Sequence, residues 1–278
     1  MPHCIIIKCL NHKIRCVAIF TKRNNEEAKT VTSLLKEKIK GQGIEVIEFR
    51  KDKLDFPGSD VDEKLDLAIA VGGDGTTIKA FRLLPHNVPV LCINAGGTRG
   101  ILSEVSKNFV ESILDPLING KYFTDRRIRI IAHYNNRISV PVINDFVLMR
   151  SELNKTPMFH ICVNGDSFGQ KMDGIIVSTP TGSTGHSLSN NGPVIQENLE
   201  CLLLTPIASV NRMPPFVLPM ERITISASHD TQLVMDGQIT QEIPKNTEIK
   251  IVKYAYDAVF LRFKKNNTRQ LNKLGYNI

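Results

Sequence analysis

The 278-residue chain contains no apolar run near the roughly eighteen residues that a membrane-crossing helix needs, so no span is expected. Its opening stretch, MPHCIIIKCLNHK, has too short an apolar run for a secretory signal and no small-residue cleavage site. Cysteine is sparse. The six thiols, at 4, 9, 16, 92, 162 and 201, form no CxxC pair and no Cys/His cluster at zinc-ligand spacing. Thiols scattered in this way suit a reducing compartment, and a cytoplasmic protein with reduced cysteines is expected. The densest basic stretch, 262–273, holds Arg262, Lys264, Lys265, Arg269 and Lys273 without aromatics interleaved in a stacking pattern. A solvated C-terminal surface is therefore expected there, not a nucleic-acid arm.

What remains reads as ordinary globular material. At 42% hydrophobic and 23% charged, the chain can bury a sizeable core in one large domain or two modest ones. Its net charge of +7 favours anionic partners, small phosphorylated ligands among them.

Residues 15–122 alternate between two kinds of pattern. Residues 15–20 (RCVAIF) read as a buried strand. Residues 26–40 put Val31, Leu34, Leu35, Lys38 and Ile39 near helical spacing, and Gly41 and Gly43 stop the helix. Residues 44–49 alternate like a strand, and 65–71 (LDLAIAV) form a buried strand running straight into GGDGTT. Residues 76–84 look helical up to Pro85, and 88–93 (VPVLCI) enter the turn NAGGTRG as a strand. Strand, helix, strand in this order predicts a parallel sheet with crossover helices.

After Tyr122 the pattern changes. Short strand-like runs at 127–133, 138–148, 159–163, 174–178, 223–228, 232–235 and 249–252 are separated by Gly, Asn, Asp and Pro turn signals. The expected organisation is an α/β domain over 1–124 and a β-rich domain over 125–255. A last strand within 256–263 and a polar tail follow.

Three segments carry chemistry. In 71–77 (VGGDGTT), glycines between strand and helix let backbone N–H groups approach an anion at a helix N-terminus. A P-loop would place a lysine here; this chain places Asp74. Beside phosphates a carboxylate must bind a metal or accept a proton, and both roles suit phosphoryl transfer. The bland alternative is a tight turn with Asp74 as the helix N-cap. In 173–193, the strand GIIVS feeds a loop with seven hydroxyl residues among 178–189, short donors and acceptors suited to ribose and phosphate oxygens. In 141–147 (PVINDFV), Asn144 and Asp145 interrupt an apolar strand and must find partners, either local hydrogen bonds or a ligand.

Taken in order, these segments resemble the NAD kinase family. Gly72-Gly73-Asp74-Gly75 is similar to its GGDG, Asn144-Asp145 to its NE dipeptide, and Asp173 through Pro193 to its DG…STPTGSTAYSLSAGGP segment. Leu204-Thr205-Pro206-Ile207, Val217-Leu218-Pro219, Asp236-Gly237-Gln238 and the terminal Leu271 through Tyr276 resemble later family segments. A GGDG alone also occurs in diacylglycerol kinase-type lipid kinases and in phosphofructokinases; STPTGST is far more specific.

The resemblance implies an N-terminal α/β domain with a phosphofructokinase-like parallel sheet, a β-rich C-terminal domain, and a segment at 256–278 returning to the first domain. It implies ATP and NAD as substrates, with Mg2+ or another divalent cation accompanying ATP, and a homodimer or homotetramer. Asp74 would accept the proton of the NAD 2′-hydroxyl, with Gly75 lining the same turn. Asn144 and Asp145 would hold an adenosine ribose, and Lys171 and Asp173 would lie near the nicotinamide end. Thr181, Thr184, Gly185, His186, Ser187, Leu188 and Ser189 would shape the adenine and ribose pocket, with Gln238 nearby.

The chain departs from the family pattern near these positions. Asp145 stands for Glu, Gly185-His186 for Ala-Tyr, and Asn190-Asn191 for Ala-Gly. Gly100 through Glu104 lacks the family's Phe, and Val210 through Pro215 replaces another motif. The altered loop motivates a second reading, a catalytically weak NAD(P)-binding sensor. GGDGT and the positive charge motivate a third, a lipid kinase.

Overall fold

The computed structural model describes residues 14–49, 65–84, 87–96, 100–266 and 269–275. Cys4, Cys9, Pro85, Gly97, Thr98, Arg99 and Tyr276 lie outside the described residues. The chain divides into two compact units. One holds the described residues up to Arg126 with those from Ala258 on; the other is Arg127–Asp257.

The first unit runs β1 (Cys16–Thr21), α1 (Glu26–Lys40), β2 (Glu45–Glu48), β3 (Leu67–Gly72), α2 (Asp74–Leu83), β4 (Val90–Asn94), β5 (Val105–Ser106), α3 (Val110–Ile118) and β6 (Phe123–Arg127). The second continues with β7 (Ile130–Tyr134), β8 (Arg137–Ile138), β9 (Asp145–Arg150), β10 (Met158–Val163), β11 (Asp166–Lys171), β12 (Gly174–Ser178), α4 (His186–Ser189), β13 (Cys201–Ile207), β14 (Phe216–Pro219), β15 (Ile223–Ala227), β16 (Thr231–Met235), β17 (Ile239–Ile243) and β18 (Ile249–Lys253). The strand β19 (Ala258–Arg262) and the helix α5 (Arg269–Lys273) complete the first unit.

Local chemistry accounts for α1. The Asn25 side chain accepts from the Ala28 N–H at 2.7 Å, acidic Glu26 and Glu27 sit in the first turn, and Lys38 and Lys40 in the last. Ala28, Val31, Thr32, Leu35 and Ile39 form its buried stripe. The sheet beside it orders its strands β2-β1-β3-β4-β19-β6, with β5 on β4, and β1–β2, β1–β3, β3–β4 and β4–β19 all pair in parallel. Because β1 leads outward to β2 and β3 leads the other way to β4, the order reverses between β1 and β3. The carboxyl ends of these two strands are where open α/β sheets bind ligands.

The second unit is a pair of antiparallel sheets, β11-β10-β15-β18-β7-β8 and β14-β13-β12-β9-β16-β17. One apolar core takes Ile161, Ile225 and Ile251 from the first sheet and Leu148, Ile175, Leu204 and Leu233 from the second. In β15 the alternation is plain: Ile223, Ile225 and Ala227 are buried, Thr224 and Ser226 less so.

Two expectations need correction. The run at 138–148 is not one strand: it breaks between β8 and β9, because Val142 pairs back onto Ile130 and Asn144 stands outside the ladder. The basic C-terminal stretch is not wholly solvated. Arg262 and Arg269 are 2% and 8% exposed, since Glu104 and Asp125 neutralise them inside the unit.

Candidate active site

The first unit contributes the GGDG turn at its switch point. The Lys22 N–H, just after β1, donates to Val71 O at 2.9 Å. A Cβ on Gly72 would lie 2.3 Å from Thr76 Oγ1 and 2.9 Å from Lys22 Cβ, so only glycine allows this approach. Gly73, whose side has no neighbour within 4 Å, is the N-cap of α2 and offers no side-chain hydrogen bond. Asp74 is the first helical residue, so it is not the N-cap that the bland reading supposed. Its half-buried carboxylate instead accepts from two N–H groups of the loop after β4, Ile101 to Oδ2 and Leu102 to Oδ1, both at 3.1 Å. Gly75, in the first turn of α2, is exposed.

The second unit brings Asn144, Asp145 and the hydroxyl-rich loop together at one end of β9 and β12, where Asp145 pairs with Ser178. Thr179 is the fastener. Its N–H donates to Asn144 O at 2.8 Å, its hydroxyl donates to Ile143 O, and it accepts from the Gly182 N–H at 3.2 Å. Gly182 lies flat on that backbone, and Gly185 sits where a Cβ would be 3.9 Å from Asp145 Oδ2. Most hydroxyls of the loop serve the loop itself. Ser183 Oγ donates to Pro180 O at 2.7 Å and accepts from the Ile195 N–H at 2.9 Å, Thr184 Oγ1 donates to Thr181 O at 3.3 Å, and Ser187 Oγ bonds Thr205 Oγ1 at 2.7 Å. Gly185, His186 and Ser189 are exposed, Leu188 is half-buried, and Thr181 and Thr184 are buried.

Asp236 was quoted in the sequence only as part of a motif, yet it organises this end of the sheet. Asp236 and Gly237, with φ of 50° and 63°, form the tight turn between β16 and β17, closed by the Gln238 N–H on Met235 O at 3.0 Å. The Asp236 carboxylate then accepts from the backbone N–H groups of Ile143, Asn144 and Asp145 at 3.1, 2.7 and 3.3 Å. A D-G pair between two strand signals was the available clue to the turn. Nothing in the sequence pointed to the three distant donors. Gln238 closes this turn, just before β17.

Lys171 and Asp173 are not gathered with these residues. They flank the other end of β12, where Asp173 pairs with Arg150 at 3.1 Å and Lys171 O accepts from the Val210 N–H at 2.9 Å. One five-residue strand separates the two ends, roughly 17 Å of chain.

Burial, reinforced by the Asp236 charge, pushes the Asp145 carboxyl up from 3.8 to about 7. The folded state therefore holds this proton more tightly than the unfolded chain does. The resulting stability is fully present below the unfolded value and is lost as pH rises through about 7. Asp145→Asn is expected to gain stability relative to the parent between pH 5 and pH 8, on the order of a few kcal/mol. Paired thermal melts at the two pH values test this; a Tm difference independent of pH would remove the assignment.

Both units match known proteins. Residues 22–122 match the family model of the ATP-NAD kinase N-terminal domain, and 143–263 that of the ATP-NAD kinase C-terminal domain. An NAD kinase of Pyrococcus furiosus is 30% identical over 260 residues, 89% of this chain and 94% of that protein. An NAD kinase of Geotalea daltonii is 36% identical over 203 residues, covering 69% and 71%. The crystal structure of an NAD kinase from Archaeoglobus fulgidus in complex with ATP aligns with a TM-score of 0.75 at 27% identity, over 94% of this chain and 98% of that one. A yeast NADH kinase structure shares the fold, with a TM-score of 0.85 at 22% identity over 96% and 89% of the chains. These matches define a kinase built from two nucleotide-kinase domains. The chain belongs to the NAD kinase family and is an enzyme of that activity.

Proposed function

We propose that the enzyme moves the γ-phosphoryl group of ATP onto the adenosine 2′-hydroxyl of NAD, with Asp74 accepting the hydroxyl proton. The new bond joins the 2′-oxygen to the γ-phosphorus, and the bond to the β-phosphate oxygen breaks to release ADP. The observation that carries the reading is the Asp74 carboxylate at the switch point of the parallel sheet. It does not cap its own helix, and the Ile101 and Leu102 N–H groups steady it. On this reading Asn144 and Asp145 hold the ribose, while Gly185, His186 and Ser189 offer exposed surface for the adenosine. Thr181, Thr184 and Ser187 act by keeping the loop in shape, and Lys171 and Asp173 serve a different part of the dinucleotide from Asp145.

Magnesium would arrive with ATP. Among the described residues no three His, Cys, Asp or Glu side chains come together as a ligand set. When bound, magnesium neutralises phosphate charge. Among the described residues Cys16, Cys92, Cys162 and Cys201 are in no disulfide, in keeping with a cytoplasmic setting, where the product would feed the NADP pool. A homodimer or homotetramer is the assembly that the family resemblance implies.

The test is NADP formation by the purified protein with NAD, ATP and Mg2+. Turnover supports the reading. Tight NAD or NADP binding without turnover would favour the sensor, whose motivation is the Gly185-His186 loop. The lipid kinase reading is not favoured by either domain match.

One substitution probes the adenosine surface. His186, exposed at the start of α4, stands where the family has Tyr. His186→Tyr is expected to tighten NAD binding by about 1 kcal/mol, about fivefold in Kd, if the ring covers the adenine. Weaker binding in a calorimetric titration would mean the pocket is shaped to the smaller ring.

A further inference from the structure

The hydrogen bonds that steady Asp74 come from a loop that is itself held from behind. Leu102 donates its N–H to Asp74 Oδ1, and its carbonyl oxygen accepts from Arg262 Nη1 at 3.0 Å. Arg262 ends β19, in the segment that returns to the first unit from the far end of the chain. The same guanidinium reaches Glu104 Oε2 at 3.4 Å through Nη1 and Asp125 Oδ2 at 3.2 Å through Nε. Its Cζ lies over the Phe260 ring, 4.4 Å from the centroid, and Phe260 packs on Phe81 of α2 at 4.6 Å between centroids. Glu104 is fixed in turn by the Phe263 N–H at 2.9 Å and by Arg269 at 2.7 Å.

A buried arginine needs carboxylates for its charge. It does not need a backbone carbonyl two residues away from one of them. That third contact holds the Leu102–Ser103 peptide, across the Leu102 Cα from the peptide whose N–H faces Asp74, and the ring contacts reach the helix that Asp74 begins. We propose that Arg262 is a positioning residue for Asp74. It acts through the backbone of Leu102, anchored at its C=O and facing Asp74 with its N–H, and sets where the carboxylate meets the acceptor hydroxyl, without touching substrate itself. The inference rests on the kinase reading above.

The experiment is a double-mutant cycle between Arg262→Met and Asp74→Asn, with kcat and KM for NAD measured for all four proteins. Removing Arg262 leaves Glu104 and Asp125 short of a partner. If the Met variant shows no cooperative thermal melt, Arg262→Lys takes its place: one ammonium cannot serve two carboxylates and a carbonyl as the fork does. The expected result is a fall in kcat of about 10- to 100-fold in the Asp74 background, the scale for misplacing a catalytic group. KM for NAD should change by less than about threefold, and kcat should fall no further in the Asp74→Asn background. An equal loss in both backgrounds would make Arg262 merely structural and overturn the proposal. So would undiminished kcat in a folded variant. No turnover by the parent protein would overturn the kinase reading, and this inference with it; turnover by the parent with undiminished variants overturns the inference alone.

Discussion

An Asp74→Asn enzyme is expected to bind NAD as the parent does and to turn it over at least about 100-fold more slowly, the usual loss when a general base is removed. The amide is nearly the same size as the carboxylate, so the fold of the α2 terminus should survive. The substitution carries one local cost. Asp74 now offers an oxygen to each of two N–H groups, Ile101 and Leu102. Asparagine has a single oxygen, so one of those donors would face an NH2 group. Losing one such bond costs about 1 kcal/mol, a small drop in Tm that leaves the protein folded. Turnover measured beside an NAD titration separates the two effects. A variant with undiminished turnover would end the assignment of Asp74 as proton acceptor. A variant that no longer binds NAD would make Asp74 chiefly a binding group.

Gly182→Ala is expected to be the most damaging small substitution in the second unit. Its Cβ would lie 2.2, 2.5 and 2.6 Å from the O, C and Cα of Asn144, all backbone atoms. Asn144 cannot readily yield, because its carbonyl accepts from Thr179 and its N–H is held by Asp236 at 2.7 Å. Overpacking against a fixed backbone should cost about 3 kcal/mol, a drop of roughly 6–12 °C in Tm, and weaken NAD binding more than about tenfold. Gly185→Ala is the control. It restores the family residue, and its Cβ would meet Gly182 O at 3.2 Å, a contact a small shift relieves. If Gly182→Ala melts with the parent and binds NAD normally, the loop is not locked to Asn144 as described.

Several elements could be read directly because their causes are local. The helix at 26–40 announces itself through its apolar stripe and Gly41. The strand GIIVS does so through an unbroken apolar run. The polar strand Asp166–Lys171 gave no such local signal; it exists because β10 supplies its ladder. The site divides in the same way. Asp74, Asn144, Asp145 and the STPTGST loop are visible because a functional group, or the glycine that lets it approach, is written as a residue type at a fixed spacing.

The two kinds of domain, the kinase family and the carboxylate proposed for the chemistry are legible along the chain, since composition, periodicity and motif spacing are properties of neighbours in sequence. It took the folded chain to show that Asp236 holds the backbone of Ile143 through Asp145, that most loop hydroxyls fasten the loop, and that Arg262 lies buried behind the loop that faces Asp74. Asp236 and Arg262 act on backbone N–H and C=O groups, which every residue except proline carries alike, 91 to 160 positions away. No residue type marks such a partner in advance, and folding alone chooses which peptide each buried charge will meet.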